Sequence, residues 1–257
     1  MRKFFSRHIF LQCIKSNWKM WTIVTTILCA LVLIMISIAP GVSERLATTD
    51  PDFDFNALRM VAEGAFSMHG GMIGVVFILV YLITVGNKLV AMEIDRGSLS
   101  FILNTPTTRK QIILTKAIFY YVSIIALILT IGIVSTIAGA VINIPFDLGR
   151  LWIMLLGLLM FTTAISGICF FASCWFNKSS LSLLVGAGVP LLFFLFSSLS
   201  AMPDLDWMRF LSINTLFDAI GVVNGESFIF QYIALFAIGA IMYTIGIIKF
   251  LKKDLPL

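Results

Sequence analysis

Long uninterrupted apolar runs constrain this chain more than any other feature. The stretch AIFYYVSIIALILTIGIVSTIAGAVI, from Ala117 to Ile142, contains no charged residue. A helix needs about 20 such residues to cross the roughly 30 Å hydrocarbon core of a bilayer. Six segments are long and apolar enough, or nearly so: 20–39, 72–90, 112–142, 151–176, 181–200 and 228–250. Composition agrees, since 60% of the 257 residues are hydrophobic and 12% are charged. Soluble domains carry about 25% charged residues. The expected fold is therefore an all-α polytopic membrane protein in one domain, 1–257, with six transmembrane helices.

The polar segments set its orientation. An even number of spans puts both termini on one side. Of the 18 basic residues, only Arg45, Arg59, Arg150 and Arg209 then fall on the opposite side. Of the 13 acidic residues, only Glu93, Asp95 and Asp254 share the basic side. Lys and Arg mark cytoplasmic loops, so both termini are expected in the cytoplasm of a multi-pass cell-membrane protein. The net charge of +5 reflects this sorting and does not point to nucleic acid. The first apolar run exceeds the 7–15 residues typical of a signal peptide, so it is read as a retained span.

Residues 1–19, MRKFFSRHIFLQCIKSNWK, combine basic residues with Phe5, Ile9 and Phe10 on one helical face. They are expected to form an amphipathic helix lying in the membrane interface. Residues 55–66, FNALRMVAEGAF, suggest a short amphipathic helix in the first outer loop. The half-apolar segment before the last span, with Trp207, Phe210 and Phe217, suggests short helices that dip into the membrane. Pro190 is expected to kink the fifth span.

What the chain lacks narrows its chemistry. No ionisable residue falls near an expected midplane, which disfavours an ion-coupled carrier. There is no G-x-x-x-x-G-K-[ST] phosphate loop, H-E-x-x-H or G-x-S-x-G motif. Ser123, Ser166 and Ser173 have no histidine or lysine companion and are expected to bond within or between helices. Cys13, Cys29, Cys169 and Cys174 show no C-x-x-C spacing, so neither a metal site nor a disulfide framework is expected. The chain itself is read as non-catalytic.

One interruption stands out. EIDRGSLSFILNTPTTRKQIILTK, Glu93 to Lys116, is polar and lies on the basic side. Leu99, Ile102 and Leu103 share a helical face, and Pro106 stops that helix. Thr108 and Gln111 have the spacing of a capping box that starts the third span. A small apolar stripe rimmed by charge is suited to docking.

The pattern Glu93-x-Asp95-Arg96-Gly97-Ser98-Leu99, then Leu103-x-Thr105-Pro106, then Arg109 and Lys116, resembles type-2 permeases of ABC (ATP-binding-cassette) exporters. The layout of the whole chain is similar as well. The resemblance implies a coupling helix at 93–107. There Glu93, Asp95, Arg96, Ser98, Leu99, Phe101 and Leu103 would contact or position a separate ATPase subunit. It implies two such ATPases, which bind ATP and Mg, and a second permease, identical or not. It places the second and fifth spans at the central interface, so that Phe77, Tyr81, Phe193 and Phe196 become candidates for the translocation path. Phe194 lies beside them on the fifth span. The compact size is similar to bacterial members that export amphipathic peptides or confer antimicrobial resistance, the staphylococcal phenol-soluble modulin exporters among them. The alternative is a non-transporting membrane immunity or sensor protein that binds antimicrobial peptides.

Overall fold

The computed structural model describes residues 5–49, 73–97, 107–142, 147–200, 205–224 and 228–253. Every regular element among them is helical. α1 spans Arg7–Thr49, α2 Ile73–Leu89, α3 Ala91–Asp95, α4 Arg109–Ile142, α5 Leu148–Trp175 and α6 Ser179–Leu199. Two 3-10 turns follow, Asp206–Leu211 and Ile213–Leu216, then α7 Ala219–Asn224 and α8 Ile229–Lys252. Five of these helices, α1, α4, α5, α6 and α8, are long and apolar enough to cross a membrane. The 17 residues of α2 sit at the short limit of about 17 for a spanning helix.

The start of the chain differs from the sequence reading. The sequence separates an interfacial helix at 1–19 from a span at 20–39. The structure runs a single helix from Arg7 through both. The cause is local: no glycine or proline lies between Arg7 and Ala39. Its buried face also continues in register through Ile9, Cys13, Val24, Leu28, Val32 and Ile36. These positions are spaced four or eleven residues apart, about one and three helical turns, so they form one stripe along one helix. That stripe packs on α4 and α2. Phe5 stays exposed, while Phe10 turns inward to meet the Phe119 ring edge-on at 5.8 Å. Pro40 sits within the helix toward its far end without terminating it.

At the centre is α5, which packs against α2, α4, α6, α7 and α8. Its buried residues include Leu151, Leu155, Phe161, Ile165 and Phe170 and cover all sides of the helix. A helix apolar all round belongs in a core. Its buried hydroxyls are satisfied locally: Thr162 donates to Leu158 O and Thr163 to Leu159 O, at 2.8 and 2.7 Å. Ser166 donates to Thr163 O and accepts from the Tyr243 hydroxyl of α8.

The α5–α8 seam is a close backbone approach. A Cβ on Gly239 would lie 2.8 Å from the Thr163 carbonyl oxygen, and one on Gly167 would lie 2.8 Å from Gly239 O. Small residues allow this proximity where helices pack in an apolar medium.

The chain between α6 and α8 folds back on the bundle. Phe217 stacks on Phe161 with ring centroids 5.7 Å apart. Phe161 lies roughly 20 Å along α5 from its first residue, at 1.5 Å per residue. Ser212 donates to Phe193 O of α6 at 2.6 Å, and the Arg150 guanidinium donates to Val223 O. Pro190 is buried within an α6 that runs unbroken from Ser179 to Leu199. The helix expected at 55–66 lies outside the described residues.

Candidate functional site

The end of the bundle carrying residues 87–97, 107–116, 173–179 and 249–253 concentrates the polar contacts. Its centre is α3, only five residues long. Val90 offers α3 no side-chain cap. Instead Ser173 of α5 accepts from Ala91 N at 2.9 Å and reaches toward Asn87 O at 3.4 Å. A neighbouring helix thus satisfies one of the orphan amides every helix start leaves.

Two further contacts hold α3. Glu93 pairs with Lys116 of α4, a hydrogen-bonded ion pair. Lys116 is 1% exposed and also donates to Leu89 O, the last residue of α2, at 2.5 Å. Asp95 accepts from the backbone N–H of Ser179, the first residue of α6, at 3.3 Å. A carboxylate at a helix N-terminus meets its unpaired amides and the positive end of its dipole. Asn87 of α2 adds a 2.7 Å bond from its amide nitrogen to Ser179 Oγ. Five residues are therefore tied to α4, α5 and α6 at once, and two of them, Ala91 and Ile94, are buried.

The edges of the interrupting segment are equally defined. Gly97 ends α3 with φ of +68°, and its N–H donates to Ile94 O at 3.0 Å. This is the left-handed terminator that glycine adopts most readily. On the far side the capping box forms: Thr108 N donates to Gln111 Oε1 at 3.0 Å, and Gln111 N to Thr108 Oγ1 at 3.3 Å. Ser6 N donates to Thr115 Oγ1, so the start of the chain is fastened beside α4. Lys88 donates to Ser16 O of α1 at 2.6 Å.

The C-terminal helix joins the same end. Lys253 Nζ donates to Cys174 O and Trp175 O, at 3.1 and 2.9 Å, closing the C-terminus of α5. Its own carbonyl accepts from Arg109. Burial holds the Lys253 ammonium below the ordinary lysine range; Cys174 opposes that shift and Lys249 adds to it. The Lys249 ammonium stands 4.2 Å above the Trp175 ring, within cation–π range.

The structure thus gives the expected site residues different placements. Glu93, half-buried, pairs inward with Lys116; Asp95 is exposed yet bonded to the start of α6, and Arg96 is exposed. Ser98, Leu99, Phe101 and Leu103 lie outside the described residues. Sequence reasoning missed Lys116 as the partner of Glu93, along with Ser173 and Ser179. The available signal was a lysine seven residues into α4, because an ionisable group entering a membrane helix needs a partner.

The expected path residues do not share one site. Tyr81 is fully buried, and its hydroxyl donates to Ser123 Oγ of α4 at 2.8 Å. It lines a pocket between α1 and α4 to which Phe193 and Phe196 do not contribute. Phe77 is half-buried against the core, and Phe193, Phe194 and Phe196 are half-buried on α6. Among the described residues no cluster of His, Cys, Asp or Glu could hold a metal ion, and all four cysteines are free thiols.

The described residues thus form an all-helical bundle with five candidate membrane spans and a short element fastened to several helices at one end. The model of the ABC-2 family transporter protein matches residues 10–255, and the chain belongs to that family. It is a permease component of an ABC transporter, a class that works with an ABC ATPase. A comparison with curated proteins found no significant match.

Proposed function

We propose that this chain is one of two permeases in an ATP-driven exporter, coupled to a pair of separate ATPase subunits through residues 93–107. The observation that carries the proposal is the triple attachment of α3. A force applied to the segment after Gly97 reaches α4 through Glu93–Lys116, α6 through Asp95 and α5 through Ser173. Glu93 and Asp95 then position the coupling element, while Arg96, Ser98, Leu99, Phe101 and Leu103 face the ATPase. In this reading α2 is the sixth span, both termini are cytoplasmic, and the segment between α6 and α8 dips from the opposite side. ATP and Mg bind the ATPase, and the permease is not itself an enzyme. Differential contact of the ATPase with two permease states supplies the bias between them.

The cargo class we propose is an amphipathic peptide or a lipid-like drug. Spans that carry charge only toward their ends support this, since their middles offer a hydrated ion no partner.

Co-purification with the ATPase tests the reading. Leu99→Asp and Arg96→Glu are expected to lose ATPase capture and permease-stimulated ATP turnover while the permease stays monodisperse. Full capture and turnover in both variants would falsify the docking role. Peptide binding with no ATPase partner would favour the immunity or sensor alternative.

A further inference from the structure

We propose that α2 and α3 are two arms of one helix hinged at Val90, and that Ser173 is the positioning residue that wedges the hinge bent. The inference deepens the coupling reading and rests on it, since α3 is the arm that leads into the coupling segment.

Only Val90 separates the last residue of α2 from the first of α3. Its φ and ψ are −130° and −61°, away from the helical values of about −63° and −42°. In one straight helix Ala91 N would donate to Asn87 O, four residues earlier. Here the Ser173 hydroxyl stands between them. It accepts from Ala91 N at 2.9 Å and faces Asn87 O at 3.4 Å. A side chain inserted into the helical hydrogen-bond ladder is a known cause of kinks. Leu89 O, also at the joint, accepts from the Lys116 ammonium at 2.5 Å. One turn before the joint α2 lies close on α5, where a Cβ on Gly86 would stand 3.0 Å from Cys169 Cβ. Beyond it the α3 ladder begins afresh, with Ile94 N donating to Val90 O at 3.0 Å.

The same strip of α5 serves α6. Pro190 has no N–H, so Gly186 O lacks its helical donor. The thiol of Cys169, one turn before Ser173, donates to that carbonyl at 3.2 Å. Two side chains of α5 thus fill openings in the two helices that flank α3.

Asn87, Val90, Ala91 and Ser173 are all buried. The wedge replaces one backbone hydrogen bond with two to a hydroxyl, one of them long. Bent and straight joints therefore satisfy the same buried groups, and two discrete arrangements are what a switching element requires. Without the hydroxyl, the Ala91 amide and the Asn87 carbonyl would be buried unpaired, a larger loss than a hydrogen bond gains. The direct bond between them is the remedy, and it straightens the joint. Arg96 lies about 9 Å beyond the hinge, so removing a kink of about 20° moves it by about 3 Å.

The test uses the full-length chain alone in phosphatidylcholine nanodiscs. Arg96, at the end of α3, and Lys252, on α8, are replaced by an encoded ketone amino acid that takes a spin label, which leaves the native cysteines in place. A second labelled pair joins position 96 to position 110 on α4. Pulsed electron resonance reads the distances. Ser173→Ala is expected to shift at least one mean distance by about 3 Å or more. Ser173→Thr, which keeps the hydroxyl, is expected to retain both. Unshifted distances in Ser173→Ala overturn the hinge. So does the same shift in Ser173→Thr, because it would trace to packing and not to the hydroxyl. Should Ser173→Ala not fold, Val90→Ala decides, since alanine favours the helical backbone over valine at the joint. A second population displaced by about 3 Å or more then supports the hinge, and a single unshifted one overturns it. No ATPase is present, so an unshifted distance strikes the hinge alone, and the docking of residues 93–107 still rests on ATPase capture.

Discussion

The α5–α8 seam and the attachment of α3 solve the same problem, holding helices together, with opposite chemistry. Directional contacts in the seam are few along its length, Tyr243–Ser166 and Tyr232–Ile153 O among them. The seam depends on Gly167 and Gly239 bringing two backbones within van der Waals contact over an apolar surface. The α3 attachment is the reverse, five residues with little to bury, held by Glu93–Lys116, Asp95–Ser179 and Ala91–Ser173. Dispersion contacts between packed helices are dense and tolerate little relative movement. Polar contacts are few and discrete, so they can exchange as a set between two arrangements. On the proposed coupling reading, the middle of the bundle is the rigid part and its polar end the transmitting one.

The largest expected effect breaks the rigid region. Gly239→Val would drive a branched side chain into the Thr163 backbone, which cannot swing away as a side-chain tip would. Overpacking costs about 1–3 kcal/mol in ordinary cores, and this site belongs at the top of that range or beyond it. Loss of the monodisperse peak on size exclusion, or a drop in Tm of many degrees, is the expected outcome. A Gly239→Val protein with unchanged Tm would show that the seam is loose and remove one side of the contrast.

The second effect is smaller and asymmetric. Glu93→Gln leaves the Lys116 ammonium buried without its counter-charge. Breaking a fully buried pair costs about 3–5 kcal/mol; with Glu93 25% exposed, about 2 kcal/mol is expected. Lys116→Met leaves a partly solvated carboxylate and should cost less. The double variant should recover much of the loss in Tm, yet ATP turnover in the assembled transporter should stay uncoupled from cargo. Equal losses in the two single variants, or normal coupling in the double variant, would deny the pair a transmitting role.

The parts legible in the sequence were those governed by one dominant force. Apolar length located α4, α5, α6 and α8 within a few residues, because a bilayer-spanning helix has no cheaper way to satisfy its backbone. Thr108 and Gln111 announced their capping box through spacing alone. Illegible was everything that depended on which way a side chain turns. Glu93 and Asp95 read as a charged rim for a partner, yet Glu93 pairs inward with Lys116, and Asp95, though exposed, is bonded to the start of α6. The junction at residues 19–20 read as a boundary because charge density changes there. Helix continuity depends instead on the absence of a breaker and on a buried stripe that keeps its phase. Tyr81 read as a path residue from its span alone; the bond of its hydroxyl to Ser123 of α4 left no trace in the spacing.

The smallest effect probes where the two regions meet. Lys253 joins α8 to the C-terminal carbonyls of α5, so it lies on the rigid pair of helices but uses the polar chemistry of the α3 end. Lys253→Met removes two hydrogen bonds and a cation from a helix C-terminus, a loss of about 1 kcal/mol. Burial lowers its folded-state pKa below the ordinary 10.5. The unfolded chain therefore holds this proton more tightly, and the contribution of Lys253 to stability rises as pH climbs from the lowered value toward 10.5. The Tm gap between the Lys253 protein and the Met variant should accordingly be wider at pH 10 than at pH 7. A constant gap would mean that the amine is solvated, and that the α5–α8 pair reaches the polar end through apolar packing alone.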